Sequence, residues 1–236
     1  GMGVVALQGW IRFGAADEPA EHAGIAHLFE HLLFKGTEKR GVGQVAKDIE
    51  SLGGDVNAFT TYDCTVMHLT VGKESTFDGL EILSDAMMNS IVDKDEYERE
   101  REVILEEIKR RNDQPTSRSS DLLRKHLFGK HPYARPVIGY SSVIEKITRE
   151  EVFNVYKTYY NSKTIFLSIA GDFDSEKVLK QLESSFGKLK AGPMGVDRSQ
   201  KTPTGPSIEF VHHATQDAHL SLSWRIPNIL DVSSPA

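Results

Sequence analysis

The chain has 236 residues, 39% of them hydrophobic and 26% charged, and a net charge of −6, values ordinary for a globular protein able to bury a substantial core. The acidic balance argues against a nucleic-acid binder, which needs a concentrated basic face, and no apolar run approaches the ~18 residues of a membrane span. One cysteine, Cys64, excludes an internal disulfide framework and fits a reducing compartment such as the cytoplasm. The opening Gly1-Met2 looks like a tag remnant, so a leader to the periplasm on a longer chain would be invisible here.

Val4 to Arg12 reads as a strand, ending in the turn Gly14 to Pro19. A helix over about 24–34 is stopped by Gly36-Thr37, and a second over about 42–52 is bracketed by Gly41 and by Gly53-Gly54. Asp55 to Thr61 and Thr65 to Val71 read as strands, the second alternating Val66, His68 and Thr70 against Met67, Leu69 and Val71. Helices then dominate. Ser75 or Thr76 caps the first, with Phe77, Leu80, Leu83, Ala86 and Met87 as its inner stripe. Asp93 starts a longer helix, Lys94 to Asn112, and Pro115-Thr116 opens another through Phe128. Thr148 and Glu151 form a capping-box signature for a helix to Tyr159; Ile165 to Ala170 is predicted as a buried strand from its apolar run, and Ser175 begins a helix ending near Phe186.

From Lys188 to Ser207 the composition turns to Gly, Pro, Ser, Thr and Lys, as expected of a linker or long loop. Beyond it, Ile208 to His212 and Leu220 to Ile226 read as a hairpin. The chain thus divides into a domain over 1–190, a linker over 191–206 and a hairpin over 207–236. Strands and helices mix without strict βαβ alternation, so the fold class is α+β, with a mixed, mainly antiparallel sheet and helices packed on one face.

Within the first helix, His27-Leu28-Phe29-Glu30-His31 spells His-x-x-Glu-His. At i and i+4 the two imidazoles share one face, a turn apart, and can reach one cation. Glu30 lies between them, close enough to take a proton from an attacking water. This is the inverse of the commoner His-Glu-x-x-His ordering and points to a zinc metallopeptidase. Catalytic zinc takes three protein ligands and keeps one position open, which leaves a vacancy suited to a carboxylate. The helix 97–112 offers Glu98, Glu100, Glu102, Glu106 and Glu107. Glu100, Val103 and Glu107 share a face, whereas Glu106 is rotated ~100° from Glu107; pattern alone does not choose among them.

The His-x-x-Glu-His run, Phe34-Lys35-Gly36-Thr37, and Gly53-Gly54-x-x-Asn57-Ala58-Phe59-Thr60 resemble the pitrilysin family of metallopeptidases, which includes insulin-degrading enzyme and the mitochondrial processing peptidase. Glu100 to Ile108 is similar to that family's second signature helix, and His131-Pro132-Tyr133 and Ile169-Ala170-Gly171-Asp172 match its habits. The resemblance implies that His27, His31 and Glu107 bind one zinc ion, that Glu30 is the general base and that Glu100 supports the site from behind. It also implies that Asn57 and Ala58 lie on an edge strand where an extended peptide substrate pairs through its main chain. The expected activity is hydrolysis of peptide bonds in peptides or unfolded polypeptides. Family members close two or more homologous halves around a chamber. The segment 208–226, with Gln216 and His219, resembles the start of a next half, so this chain alone is expected to cleave weakly or not at all. The alternative is a non-catalytic scaffold of the same fold, whose mark would be decay of His27, Glu30, His31 or Glu107; all four are present.

Other signals carry less. Gly41-Val42-Gly43-Gln44-Val45-Ala46 imitates a dinucleotide fingerprint but follows a polar loop, not the strand that fingerprint requires. His22 is off the metal face, His212 and His213 would alternate across a strand, and Cys64 reads as a small packed residue. Lys109, Arg110, Arg111, Arg118, Arg124 and Lys125 are interleaved with acids, as on a solvated helix face.

Overall fold

The computed structural model describes residues 3–195, 198, 203–212 and 217–226. In chain order its elements are β1 (Val4–Ile11), α1 (Ile25–Leu32), α2 (Gln44–Ser51), β2 (Asp55–Thr60), β3 (Thr65–Gly72), α3 (Thr76–Met88), α4 (Lys94–Asn112), α5 (Pro115–Phe128), α6 (Ser141–Ile144), α7 (Arg149–Tyr159), β4 (Ile165–Gly171) and α8 (Ser175–Phe186). The sheet runs in the order β2-β3-β1-β4. All three pairings are antiparallel, in keeping with the expected α+β fold built on a mainly antiparallel sheet.

One face of this sheet is covered. Val5, Leu7 and Ile11 of β1 and Met67, Leu69 and Val71 of β3 are buried beneath the helices, as period-2 alternation requires. The other face carries a row set by register: Phe59 opposite Val66, Val66 opposite Trp10, and Trp10 opposite Phe166. Trp10 stacks on Phe166 at 5.4 Å and meets Phe59 edge-on at 6.2 Å.

Two helix boundaries follow from local chemistry. The Asp93 side chain accepts from the N–H groups of Asp95 and Glu96 and opens α4. The full capping box of Thr148 and Glu151 opens α7.

Three expectations need correction. β4 is not a buried strand: it alternates half-buried and exposed residues, and Phe166 is 52% exposed. It closes one edge of a sheet covered on one side only, so every second apolar residue faces outward. Phe77 leaves the inner stripe of α3 and is exposed, whereas Leu80, Leu83, Ala86 and Met87 are buried. The hairpin is absent among the described residues: 208–212 and 220–226 form no strand, and all of them are exposed. A lone strand pair is marginal in water without a third strand or a covering helix, and no described strand adjoins these segments. Gln216 and His213 lie outside the described residues.

Candidate metal centre

α1 is only 8 residues long, too short to persist by itself. What holds it is burial: Ile25, Leu28 and Leu32 have no exposed surface and Phe29 is 2% exposed, roughly 1.5–3 kcal/mol for each such side chain. With that face turned inward, His27 and His31 are left half-buried one turn apart, their ring centroids 4.9 Å from each other. α4 packs across α1. Glu100 and Glu107 lie two turns apart along it, about 10 Å of helix rise, and reach the two nitrogens of one ring. Glu100 Oε2 is 2.9 Å from His31 Nδ1, and Glu107 Oε2 is 3.9 Å from His31 Nε2.

The resulting group is His27, His31 and Glu107, whose ligand-type atoms all lie within 4.8 Å of one another, and it is the one group of three such residues found among the described residues. The other candidate acids of α4 are engaged elsewhere: Glu98 and Glu102 with Arg101, Glu106 with Lys109. Geometry therefore separates Glu100 and Glu107 from their neighbours, which spacing could not do.

The electrostatics suit a cation. Burial, then the neighbouring His31, lowers the His27 pKa to about 4, so its imidazole is neutral and offers a lone pair at neutral pH. Burial pushes Glu100 upward, but the ammonium of Lys35 and the His31 ring outweigh it and hold the carboxyl below its usual range. Lys35 Nζ sits 2.7 Å from Glu100 Oε1. Burial raises Glu30, against hydrogen bonds with Thr60 and the attraction of His31. Two buried polar atoms here lack a partner in the protein, His27 Nδ1 and Glu30 Oε2. Two imidazoles and one carboxylate around an open position, with a buried carboxylate oxygen free beside them, match the donor set of a catalytic zinc site.

Asn57 and Ala58 lie on β2, the edge strand nearest α1. The N–H of Ala58 donates to Oδ1 of its own neighbour Asn57 at 2.8 Å. Thr60, at the end of the same strand, is the residue bonded to Glu30. His22 stands apart, 3.4 Å from Glu151, and His212 and His219 are exposed. Cys64 is half-buried against Thr61. The segment 41–46 leads into α2 from a loop, so the dinucleotide context is missing. Sequence reasoning missed Lys35, Thr60 and Glu18. Lys35 and Thr60 had a signal in the Phe34-Lys35-Gly36-Thr37 and Asn57-Ala58-Phe59-Thr60 runs; Glu18 acts across the fold and had none.

The family described as Insulinase (Peptidase family M16) matches residues 4–141, and Peptidase M16 inactive domain matches 146–235. The boundary between the two matches falls at α6, yet β4 beyond it pairs with β1 and Val152 and Tyr156 join the same core. The elements α7, β4 and α8 of the second match therefore share one folded unit with the first. A protein named an uncharacterised zinc protease of Mycobacterium leprae is 31% identical over 222 residues, covering 92% of this chain and 50% of its own length. The chain thus spans about half the length of the curated relatives it matches. The crystal structure of a protease from Helicobacter pylori is similar with a TM-score of 0.77 at 27% identity, over 86% of this chain and 48% of that one. Pitrilysin is alike in fold, with a TM-score of 0.70 at 20% identity over 80% of this chain and 21% of its own.

Proposed function

This chain belongs to the insulinase family of peptidases, family M16, and from that premise we propose that it is the metal-bearing half of a zinc-dependent endopeptidase acting on peptides or unfolded polypeptides. The observation that carries the reading is the convergence of His27, His31 and Glu107 within 4.8 Å, from two helices distant in sequence, with Glu30 on the same helix as the histidines. The names of the relatives, zinc proteases, support the identity of the metal.

His27, His31 and Glu107 would hold the ion. Zinc bound there supplies Lewis acidity, lowering the pKa of a coordinated water to about 7 and polarising the scissile carbonyl. Glu30, whose carboxyl burial has raised, takes a proton from the attacking water and returns it to the leaving amine. Glu100 accepts the Nδ1 proton of His31, which leaves the Nε2 lone pair directed toward the side of Glu107. Asn57 and Ala58 offer an edge on which an extended substrate pairs through its main chain, exchanging the internal Asn57–Ala58 bond for bonds to the peptide.

A second homologous half, absent from residues 1–190 and beginning within 207–236 after the connection 191–206, completes the chamber in this proposal. The lengths of the relatives support it.

Peptide cleavage by the full-length protein tests the assignment. Glu30→Gln is expected to retain zinc and lose turnover, and His31→Ala to lose zinc. Unchanged zinc content in His31→Ala would instead favour a scaffold of the same fold.

A further inference from the structure

Glu18 is 2% exposed and lies on the turn between β1 and α1. Its Oε2 accepts the N–H of Gly24 at 2.8 Å, and its Oε1 accepts the N–H of Ala26 at 2.8 Å. Both donors belong to the start of α1. That helix has no cap from its own N-cap residue, which is glycine, and no acid in its first turn. The Glu18 carboxyl thus supplies from outside what a helix N-terminus ordinarily needs, acceptors for its orphan N–H groups.

The turn that carries it is itself anchored. Arg135 Nη2 donates to the carbonyl of Glu18 at 2.8 Å and to that of Ala15 at 3.1 Å. On the opposite side the backbone at 138–139 presses against the same turn. A Cβ at Gly24 would stand 2.6 Å from the Ile138 carbonyl, and one at Gly139 would stand 2.2 Å from that of Ala23. Burial pushes the Glu18 carboxyl up to about 8 even though both N–H bonds oppose it. An acid kept inside at that desolvation cost acts through the groups it touches, and here these are the backbone atoms immediately before His27.

We propose that Glu18 is a positioning residue for the metal centre: by gripping the amides of Gly24 and Ala26 it fixes the first turn of α1 and so the placement of His27 relative to His31 and Glu107. The inference rests on the metallopeptidase reading and extends it to a residue outside both signature segments. Ligand groups must be held within about 0.5 Å of their working positions, and partners behind metal ligands commonly change metal affinity by about 10–100-fold when lost.

The test uses the full-length protein, with Glu18→Gln and Glu18→Ala compared at a temperature where circular dichroism shows each variant folded. Glu18→Gln keeps the volume but turns an amide N–H toward one of the two backbone donors. The readouts are zinc affinity by chelator competition and the visible absorption of the cobalt-substituted protein, which reports ligand geometry and not stability. The expected result is zinc held about tenfold more weakly in Glu18→Gln, with displaced cobalt bands, and a larger loss in Glu18→Ala. If Glu18→Ala does not fold, Glu18→Gln decides alone. Wild-type zinc affinity and cobalt spectrum in a folded Glu18→Gln, with only its unfolding midpoint lowered, would overturn the proposal and leave Glu18 a structural cap. A wild-type protein that takes up neither metal would overturn the metallopeptidase reading as well, which separates the two failures.

Discussion

Replacing Glu100 by glutamine probes how the centre is held without touching a proposed ligand. Glu100 is 7% exposed, and its two oxygens divide their work: Oε2 faces His31 Nδ1 at 2.9 Å, and Oε1 faces Lys35 Nζ at 2.7 Å. Glutamine has one acceptor to offer. With its oxygen toward His31, the amide N–H groups meet an ammonium. Flipped toward Lys35, they meet Nδ1 and drive the His31 proton to Nε2, removing the lone pair that a metal would use. One charge-assisted hydrogen bond is lost in either orientation, about 1.5–3 kcal/mol. Expressed in metal binding, that is about a ten- to hundredfold weaker zinc Kd. Competition against a chelator of known affinity measures it directly. The control is Glu106→Gln on the same helix, whose carboxylate pairs with Lys109 at the surface and faces away. A Glu100→Gln affinity within twofold of both wild type and Glu106→Gln would refute the reasoning.

Arg40 binds Asp48 and Asp85 at 2.9 and 2.6 Å and also pairs with Glu81, tying α2 to α3. Arg40→Met strips the arginine from Asp85, which is 2% exposed, and is expected to cost about 3–5 kcal/mol in urea unfolding. Burial raises Asp85, but Thr37, Asn89 and Arg40 together outweigh it and hold the carboxyl below 3.8. Its contribution is therefore present above that pH and lost as the pH falls through the lower folded value; Glu81, which Arg40 likewise helps hold below 4.5, behaves the same way, so the gap between wild type and Arg40→Met should begin to narrow below about 4.5 and close further below about 3.8. Gly24→Ala meets both a φ of 100° and the Ile138 carbonyl; thermal unfolding should show a loss of at least about 1–3 kcal/mol, with weaker zinc binding. Leu28→Ala, at a position with no exposed surface, should cost about 2–5 kcal/mol by the same measurement.

Where local chemistry decides, sequence reading came close. α4 spans Lys94–Asn112 as expected because Asp93 caps it, and α7 follows its capping box. β1, β2 and β3 lie within a residue of their predicted ends because alternation and glycine turns mark them. β4 was misread because an apolar run does not reveal whether one or both faces of a strand are covered. Residues 208–212 and 220–226 were misread because alternation makes a strand only beside another strand, and no described strand adjoins them. At the site, the helical spacing of His27 and His31 was legible, as was the shared face of Glu100 and Glu107. The ties of Glu30 to Thr60, of Glu100 to Lys35 and of Glu18 to Ala26 depend on how β2, α4 and the turn after β1 pack around α1, which no local pattern encodes.

His31 and Glu100 touch although 69 positions separate them along the chain. An unfolded chain retains only the neighbouring histidine pair, so an ion that needs the carboxylate of α4 has strong affinity for the native state alone. Thermodynamic linkage then makes free zinc at a hundred times its dissociation constant add about 2.7 kcal/mol to the resistance against unfolding. On the proposed zinc reading, the melting temperature should climb with metal concentration, and depletion of the ion should expose the chain to proteolysis.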